Sequence, residues 1–244
     1  MYIKDIFSDA LDCDDERLRQ SKRSEVFSYF GNTSNPPDMM LKNGDAIEVK
    51  KIENEMSRLA LNSLHPKSKL LASNPLLTNG CRNCEEWVER DLLYTVGVVS
   101  KKNRLSKLFF IYGTDYAADN EVYERLKTNI SEGILETPNV ELGKTKELGR
   151  VNKVDPLGIT FLRIRGMWHI ESPFKVFSDD YSTQNSNFEF VAIINTEKYY
   201  SFPKEDIIDL EKLVDGNFRI SNIKIKDPNN PAKLKNAKLL QFNR

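Results

Sequence analysis

The chain is poor in the residues that build disulfide or zinc frameworks. Its 244 residues include three cysteines, Cys13, Cys81 and Cys84, and two histidines. An odd, sparse cysteine count argues against a disulfide framework. Cys81 and Cys84 have zinc-type spacing, but no second pair of cysteines or histidines stands nearby to complete four ligands. We interpret them as reduced thiols in a turn before a helix and keep a structural zinc as the alternative.

Long apolar runs are also missing. No stretch of eighteen apolar residues occurs, so no transmembrane helix is expected. The N-terminal stretch MYIKDIFSDALDCDDERLRQ lacks the basic-then-apolar pattern of a secretion signal, which favours a cytoplasmic protein. With 39% hydrophobic and 30% charged residues, the chain is too apolar for wholesale disorder. No linker is long enough to force two domains, so residues 1–244 are expected to form a single domain.

A net charge is absent as well, since 36 basic residues balance 36 acidic ones. A neutral chain is not an obvious nucleic-acid binder. The charge is unevenly spread, however: residues 1–20 carry a net charge of −3, and the basic C-terminal segment at about 216–244 carries +6. A zero total can therefore hide a basic face, which is what a polyanion would meet.

Short apolar runs alternate with amphipathic stretches along the chain. This mixture predicts an α/β (α+β) fold with a central mixed β-sheet flanked by helices. Residues 25–30 fit either a strand or a short helical turn. The period of apolar residues predicts helices over 2–11, 120–130 and 204–214, and strands over 92–99, 108–112, 159–165 and 188–194. In the first helix, Asp5 and Asp9 are expected on the face away from the apolar residues.

The most informative stretch is NPPDMMLKNGDAIEVKK, residues 35–51, in which Asn43-Gly44 predicts a β-hairpin. A two-residue loop would place Asp38 opposite Val49, a charge beside an aliphatic residue. A three-residue loop from Lys42 to Gly44, with Gly44 in a left-handed bulge position, places Asp38 opposite Glu48.

The three-residue loop sorts the side chains of the hairpin by face. Opposite residues share a face, so the apolar residues Met39, Leu41, Ile47 and Val49 would form one side. Asp38, Glu48 and Lys50 would share the other. Two facing carboxylates repel unless a cation lies between them, and Mg²⁺ accepts carboxylate and phosphate oxygens. Lys50 could then contact a scissile phosphate and orient the attacking water. A solvent-exposed charged face is the alternative interpretation.

Pro37-Asp38 followed by Glu48-Val49-Lys50 matches the PD-(D/E)XK nuclease signature, which is short and weakly specific. Longer stretches are more specific. Together they resemble the NgoPII-type family of type II restriction endonucleases over most of the chain: VFSYFGNTSNPPDMMLKNGDAIEVKKIE (26–53), CRNCEEWVERDLLYTVG (81–97), ELGRVNKVDPLGITFLRIRGMW (147–168) and IKIKDPNNPAKLKNAKLL (223–240).

The resemblance implies a PD-(D/E)XK restriction-endonuclease-like core that cuts double-stranded DNA with Mg²⁺ at a short palindrome, expected to be GGCC, leaving 5′-phosphate and 3′-hydroxyl ends. By the motif match, Asp38 and Glu48 become metal ligands and Lys50 the catalytic lysine. A cognate DNA methyltransferase is implied as the genetic partner. Members of the family extend further at the N-terminus with an acidic helix residue, for which Asp5 and Asp9 are weak substitutes, so the native chain could start before Met1.

DNA binding needs further basic residues. A G-rich site favours arginine or lysine contacts in the major groove, and lysines elsewhere can hold the phosphate backbone. The candidates for base reading are Arg150, Asn152, Lys153, Arg163 and Arg165, and those for backbone contact are Lys224, Lys226, Lys233 and Lys235. The alternatives are a solvated strand face and a solvated tail. His65 is expected in a turn before Pro66.

A palindrome read by one protein implies two-fold symmetry, so a homodimer is expected. Two rival functions stay open. One is a structure-specific repair or recombination nuclease with the same three residues, and the other is a DNA-binding module that does not cleave.

Overall fold

The structure is a computed structural model that describes residues 2–32, 35–182 and 186–244. The helices are α1 (Tyr2–Phe7), α2 (Glu16–Val26), α3 (Asn79–Arg82), α4 (Gly113–Tyr116), α5 (Asn120–Leu135), α6 (Pro173–Val176), α7 (Thr196–Tyr199) and α8 (Lys204–Lys212). The first seven strands are β1 (Phe27–Phe30), β2 (Met39–Leu41), β3 (Ala46–Ile52), β4 (Leu59–Asn62), β5 (Lys69–Leu71), β6 (Glu89–Val99) and β7 (Leu105–Tyr112). The others are β8 (Glu141–Leu142), β9 (Gly149–Asn152), β10 (Leu162–Ile164), β11 (Trp168–Ile170), β12 (Glu189–Asn195), β13 (Phe218–Asp227) and β14 (Asn230–Asn243).

The central sheet is mixed, as the sequence predicts. Its strands run in the order β1-β2-β3-β6-β7-β12-β14-β13, and β5 pairs with part of β6. The pairs β3/β6 and β7/β12 are parallel, whereas the other neighbours are antiparallel. Two smaller sheets, β10-β9-β8 and β11-β4, lie outside this order. With its flanking helices, this mixed sheet forms a restriction-endonuclease-like core.

Two apolar clusters cover the opposite faces of the central sheet. Leu92, Tyr94 and Val96 of β6 belong to one cluster, and Leu93, between them in sequence, belongs to the other. This alternation follows from the two-residue repeat of a strand. Because β3 runs parallel to β6 with Glu48 beside Tyr94, the side chain of Glu48 lies on the Tyr94 face.

The N-terminal helix differs from the expectation in length and orientation. It ends at Phe7, and Asp5 is buried instead of facing solvent. The cause is Arg23 of α2, whose guanidinium lies 2.6 Å from the Asp5 carboxylate. Helix α2 is capped at its N-terminus by Asp15, whose side chain accepts a hydrogen bond from the Arg17 amide at 2.9 Å. Asp5 is therefore used in a buried ion pair.

The basic C-terminal segment forms sheet instead of a solvated tail. Strands β13 and β14 pair along almost their whole length, and β14 also pairs with β12. Alternation places Ile225 and Ala237 in the core and leaves Lys224 and Lys226 exposed. No helix in the described ranges is long and apolar enough to span a membrane.

Candidate active site

The hairpin of β2 and β3 has the three-residue loop that the sequence favours. Met39 pairs with Ile47, and the Leu41 amide donates to the Asp45 carbonyl at 3.0 Å. Met39, Leu41, Ile47 and Val49 all contact the same apolar cluster, which confirms the predicted apolar face. One detail is wrong: the left-handed residue is Asn43, with φ of 51°, and not Gly44. Asparagine tolerates this conformation because its short polar side chain bonds locally.

The structure brings Asp38, Glu48 and Lys50 together around β3. The Lys50 Nζ atom lies 2.7 Å from Glu48 Oε1. The Asp38 Oδ2 atom accepts a hydrogen bond from the Val49 amide at 2.7 Å. This bond anchors the Asp38 carboxylate to the backbone between the other two residues, so two acids and one amine meet beside β3.

The Glu48 carboxylate is largely removed from solvent, with its side chain 13% exposed. Its Oε2 atom is buried and has no hydrogen-bond partner among the residues described. Burial raises the pKa of Glu48, the neighbouring Asp38 raises it further, and Lys50 opposes both effects. A buried, incompletely satisfied carboxylate is costly, and a cation is the partner that would relieve this cost.

The donor set fits a hard divalent cation with few protein ligands. Magnesium is commonly held by one or two carboxylates, with waters and substrate oxygens completing the shell. Asp38 and Glu48 provide such a pair. Neither at this site nor elsewhere in the described ranges are three or more His, Cys, Asp or Glu residues placed to hold a metal.

The two candidate zinc cysteines have other partners. The Cys81 thiol is buried against Met40 Sδ at 3.5 Å, and the Cys84 thiol donates to the Cys81 carbonyl at 3.1 Å. Burial raises the pKa of Cys81 to about 11, which disfavours the thiolate that zinc requires. This agrees with reduced thiols, but the expected turn before a helix is wrong, because Cys81 lies inside α3 and Cys84 follows that helix.

Glu48 and Lys50 line a small cavity of about 20 Å³. Its wall also includes His65, Lys67 and Tyr94, none of which the sequence singles out as functional. His65 stacks on Tyr123 at 5.1 Å between ring centroids and meets the edge of Trp168 at 6.0 Å. The prediction of a turn before Pro66 therefore missed the main feature of His65, which is that its side chain is buried in the cavity wall.

The candidates for base reading lie together on the small sheet of β8, β9 and β10. Arg150 of β9 is directly opposite Arg163 of β10. Arg163 binds Glu147 with two nitrogens, at 2.7 and 3.0 Å, and Arg165 binds the same carboxylate. Arg150 lies over the ring of Phe161 at 5.5 Å. The cluster places three arginines on or beside one hairpin.

The other two base-reading candidates are held by their neighbours. The Asn152 side chain accepts from Arg150 Nε at 3.0 Å. Lys153 forms an exposed ion pair with Glu141 at 2.7 Å. Both residues therefore belong to the same small sheet as the arginines.

The four C-terminal lysines are not equivalent. Lys235 contacts the fully buried carboxylate of Asp115 and donates to the Thr114 carbonyl at 3.0 Å. It is opposite Ile225, on the inward side of the strand pair. Lys224, Lys226 and Lys233 are exposed. Lys235 therefore takes part in a buried ion pair, whereas the other three lysines are free to meet solvent or a ligand.

A mixed sheet with Asp38 directly before β2, and with Glu48 and Lys50 on the neighbouring strand β3, has the arrangement expected of a nuclease of the restriction-endonuclease-like class. Sequence comparison agrees: the model of the NgoPII restriction endonuclease family matches residues 1–226, and the chain belongs to that family. It is 52% identical over 242 residues to the type II restriction enzyme NgoPII of Neisseria gonorrhoeae, covering 99% of this chain and 86% of that enzyme. No solved structure matches. The chain is thus a type II site-specific endonuclease.

Proposed function

We propose that the protein hydrolyses phosphodiester bonds of double-stranded DNA at a short palindrome, with Mg²⁺ as cofactor. The family resemblance favours GGCC as the site. The observation that carries the proposal is the pairing of Lys50 with Glu48 beside Asp38, which leaves the Glu48 Oε2 atom without a protein partner. Unsatisfied charged groups in a cavity wall are typical of functional sites.

Asp38 and Glu48 would hold the cation through the oxygens not used by Val49 and Lys50. When bound, the cation would lower the pKa of water and polarise the phosphate. Lys50 would contact a non-bridging phosphate oxygen and stabilise the charge that develops on it. Water gives up a proton as its oxygen bonds to phosphorus, the bond from phosphorus to O3′ breaks, and O3′ takes up a proton. The products are a 5′-phosphate and a 3′-hydroxyl.

We assign base reading to the β9–β10 hairpin. Arg150 and Arg163 share a face, and the single carboxylate of Glu147 binds both Arg163 and Arg165, so a DNA strand would supply further counter-charge to the three arginines. Arginine also matches guanine in the major groove through two hydrogen bonds. Trp168, three residues after Arg165, packs against His65 of the cavity wall, so the hairpin is connected to the active site. Asn152 and Lys153 extend this surface.

Backbone contact is the role we propose for the exposed lysines of β13 and β14. Strand β13 is five strands from β3, which corresponds to about 24 Å at roughly 4.8 Å per strand. Lys224, Lys226 and Lys233 would therefore meet phosphates away from the scissile bond. Lys235 would contribute little, because it already neutralises Asp115.

A two-fold symmetric DNA site favours a homodimer in which each subunit cuts one strand. A methyltransferase that protects the same sequence would be the genetic partner.

A plasmid digest with sequencing of the fragment ends tests the function. The expected result is discrete bands that appear with Mg²⁺, disappear with chelator, and end within one palindrome carrying 5′-phosphates. Nicks at branched or damaged structures would instead favour a repair or recombination nuclease. Binding without any cleavage under these conditions would favour a module that does not cleave.

A further inference from the structure

Lys67 is buried beside the proposed active site, with 7% of its surface exposed. It lines the same cavity as Glu48 and Lys50. Its main chain is held by the Tyr94 phenol, which accepts from the Lys67 amide at 2.9 Å and donates to the Lys67 carbonyl at 3.2 Å. Tyr94 is the neighbour of Glu48 across the β3–β6 pair, so one residue links the two segments.

A second contact fixes the Lys67 backbone. Gly113, the first residue of α4, approaches so closely that an added Cβ would lie 2.4 Å from the carbonyl oxygens of both Lys67 and Ser68. Any side chain at Gly113 would push this segment away. The position of Lys67 thus depends on two separate, closely fitted neighbours.

The ammonium group of Lys67 forms no hydrogen bond or ion pair with any residue that the structure describes. Burial lowers the pKa of Lys67, and Glu124 and Glu48 only partly offset this effect. Buried lysines without a counter-ion are costly, and a methionine of similar length would fill such a site at lower cost. An anionic ligand entering the cavity is the simplest partner for this amine.

Charge balance points to the same partner. Asp38, Glu48, Lys50 and Lys67 sum to zero, as do the paired Glu124 and Lys127 beside Lys67, and a divalent cation would raise the site to +2. A phosphodiester attacked by hydroxide carries two negative charges at the transition state. With Lys67 the site matches this charge, and without it the site falls one unit short. Fixed charges that match the transition state lower the barrier, because they need no reorganisation during reaction.

We propose that the Lys67 ammonium is a second cationic group for the scissile phosphate, acting beside Lys50. This inference rests on the proposed function. Lys67 would touch the phosphate as its charge develops, so its removal should slow cleavage more than it weakens DNA binding.

The test compares wild type with Lys67→Met and Lys67→Arg. Lys69→Met is the matched control, because Lys69 lies two residues further along, is half-exposed and already pairs with Glu89. Three quantities are measured: the single-turnover cleavage rate of a duplex containing the mapped site with Mg²⁺, the affinity for that duplex with Ca²⁺ replacing Mg²⁺, and the thermal midpoint.

Lys67→Met should lose about 100-fold or more in cleavage rate and less than about tenfold in affinity, as for other donors to a developing oxyanion. Its thermal midpoint should stay the same or rise, because an unpaired amine on a residue that is only 7% exposed has been removed. Lys67→Arg should recover part of the rate, and Lys69→Met should behave as wild type.

Three outcomes would overturn the assignment. Cleavage by Lys67→Met within threefold of wild type would exclude a role at the phosphate. A thermal midpoint that falls together with the rate would make Lys67 a structural residue. A wild type that binds but never cleaves DNA would remove the proposed function and this inference together, whereas an active wild type beside an unaffected Lys67→Met removes the inference alone.

Discussion

The backbone amide of Gly31 donates a hydrogen bond to the carbonyl oxygen of Asp38 at 2.8 Å. The approach is so close that a Cβ on Gly31 would lie 2.0 Å from the Pro37 carbonyl oxygen. Gly31 follows the last residue of β1, and Asp38 precedes the first residue of β2. The absence of a side chain at Gly31 therefore determines where the Asp38 carboxylate can lie relative to β3.

Gly31→Ala should displace Asp38 and lower the cleavage rate at least tenfold, because even small misplacement of a reacting group is costly. Gly133→Ala is the matched control, since an added Cβ there meets nothing within 4 Å. In the last turn of α5 this control should keep or gain stability, by up to about 0.5 kcal/mol. Single-turnover cleavage and thermal denaturation measure both effects, and equal activity of the two variants would contradict the assigned role of Gly31.

Lys50 and Lys51 form a natural pair for testing the catalytic assignment. Successive residues of a strand point to opposite faces, so Lys51 lies away from Glu48 and is exposed. Lys50→Ala should reduce cleavage at least about 100-fold, as for removal of one oxyanion donor. Lys51→Ala should leave the rate within a factor of about three. If wild type cuts with Mg²⁺ and Lys50→Ala cuts equally well, the assignment of Lys50 is wrong.

Local rules predict the hairpin and the mixed sheet well, because alternation, turn residues and short apolar runs act over a few neighbours. The sorting of Met39 and Ile47 onto one face is an example. These rules do not predict helix α2, because none of its residues is buried. The helix is stabilised by the Asp15 cap and by the ion pair of Arg23 with Asp5. A helix without an apolar stripe has no periodic signal to detect.

Distant contacts explain what else the sequence does not reveal. Lys67 stands in the run His-Pro-Lys-Ser-Lys, which has no repeat or motif that marks it as functional. Its burial depends on Tyr94 and Gly113, which are 27 and 46 positions away. The burial of Asp5, which was expected to be exposed, also depends on a distant contact, because its partner Arg23 lies on another helix.

The two groups of DNA-contact candidates should respond differently to mutation. Arg163→Ala should weaken binding to the target duplex by about 1–3 kcal/mol and reduce discrimination against a duplex with one altered base pair. Lys224→Ala should weaken binding to both duplexes alike. It should also reduce the slope of log affinity against log salt concentration by about one unit. Binding assays with Ca²⁺ across a range of salt concentrations measure both. Equal loss on both duplexes for Arg163→Ala would remove it from base reading.

Lys233 and Lys235 separate DNA contact from stability on one strand. Lys235→Ala should destabilise the fold by about 3 kcal/mol, because it leaves the buried Asp115 carboxylate without its cation. For a domain of this size that corresponds to a fall of roughly 6–12 °C in thermal midpoint. Lys233→Ala should leave the midpoint unchanged, because Lys233 is exposed. A stable Lys235→Ala variant with weakened DNA affinity would reverse these roles.

Cys81 should be unreactive in the folded protein at ordinary pH. The thiolate is the nucleophile, and burial raises the pKa of Cys81 to about 11 from a usual value near 9. At pH 8 its thiolate population should be about 100-fold below that of a thiol with the usual pKa, and the population rises only as the pH approaches 11. Alkylation by iodoacetamide, followed by mass spectrometry of the Cys81 peptide at pH 8 in native and guanidinium-denatured protein, measures the difference. Rapid labelling of native Cys81, or one equivalent of zinc released on alkylation, would contradict the reduced, buried thiol and restore the zinc interpretation of Cys81 and Cys84.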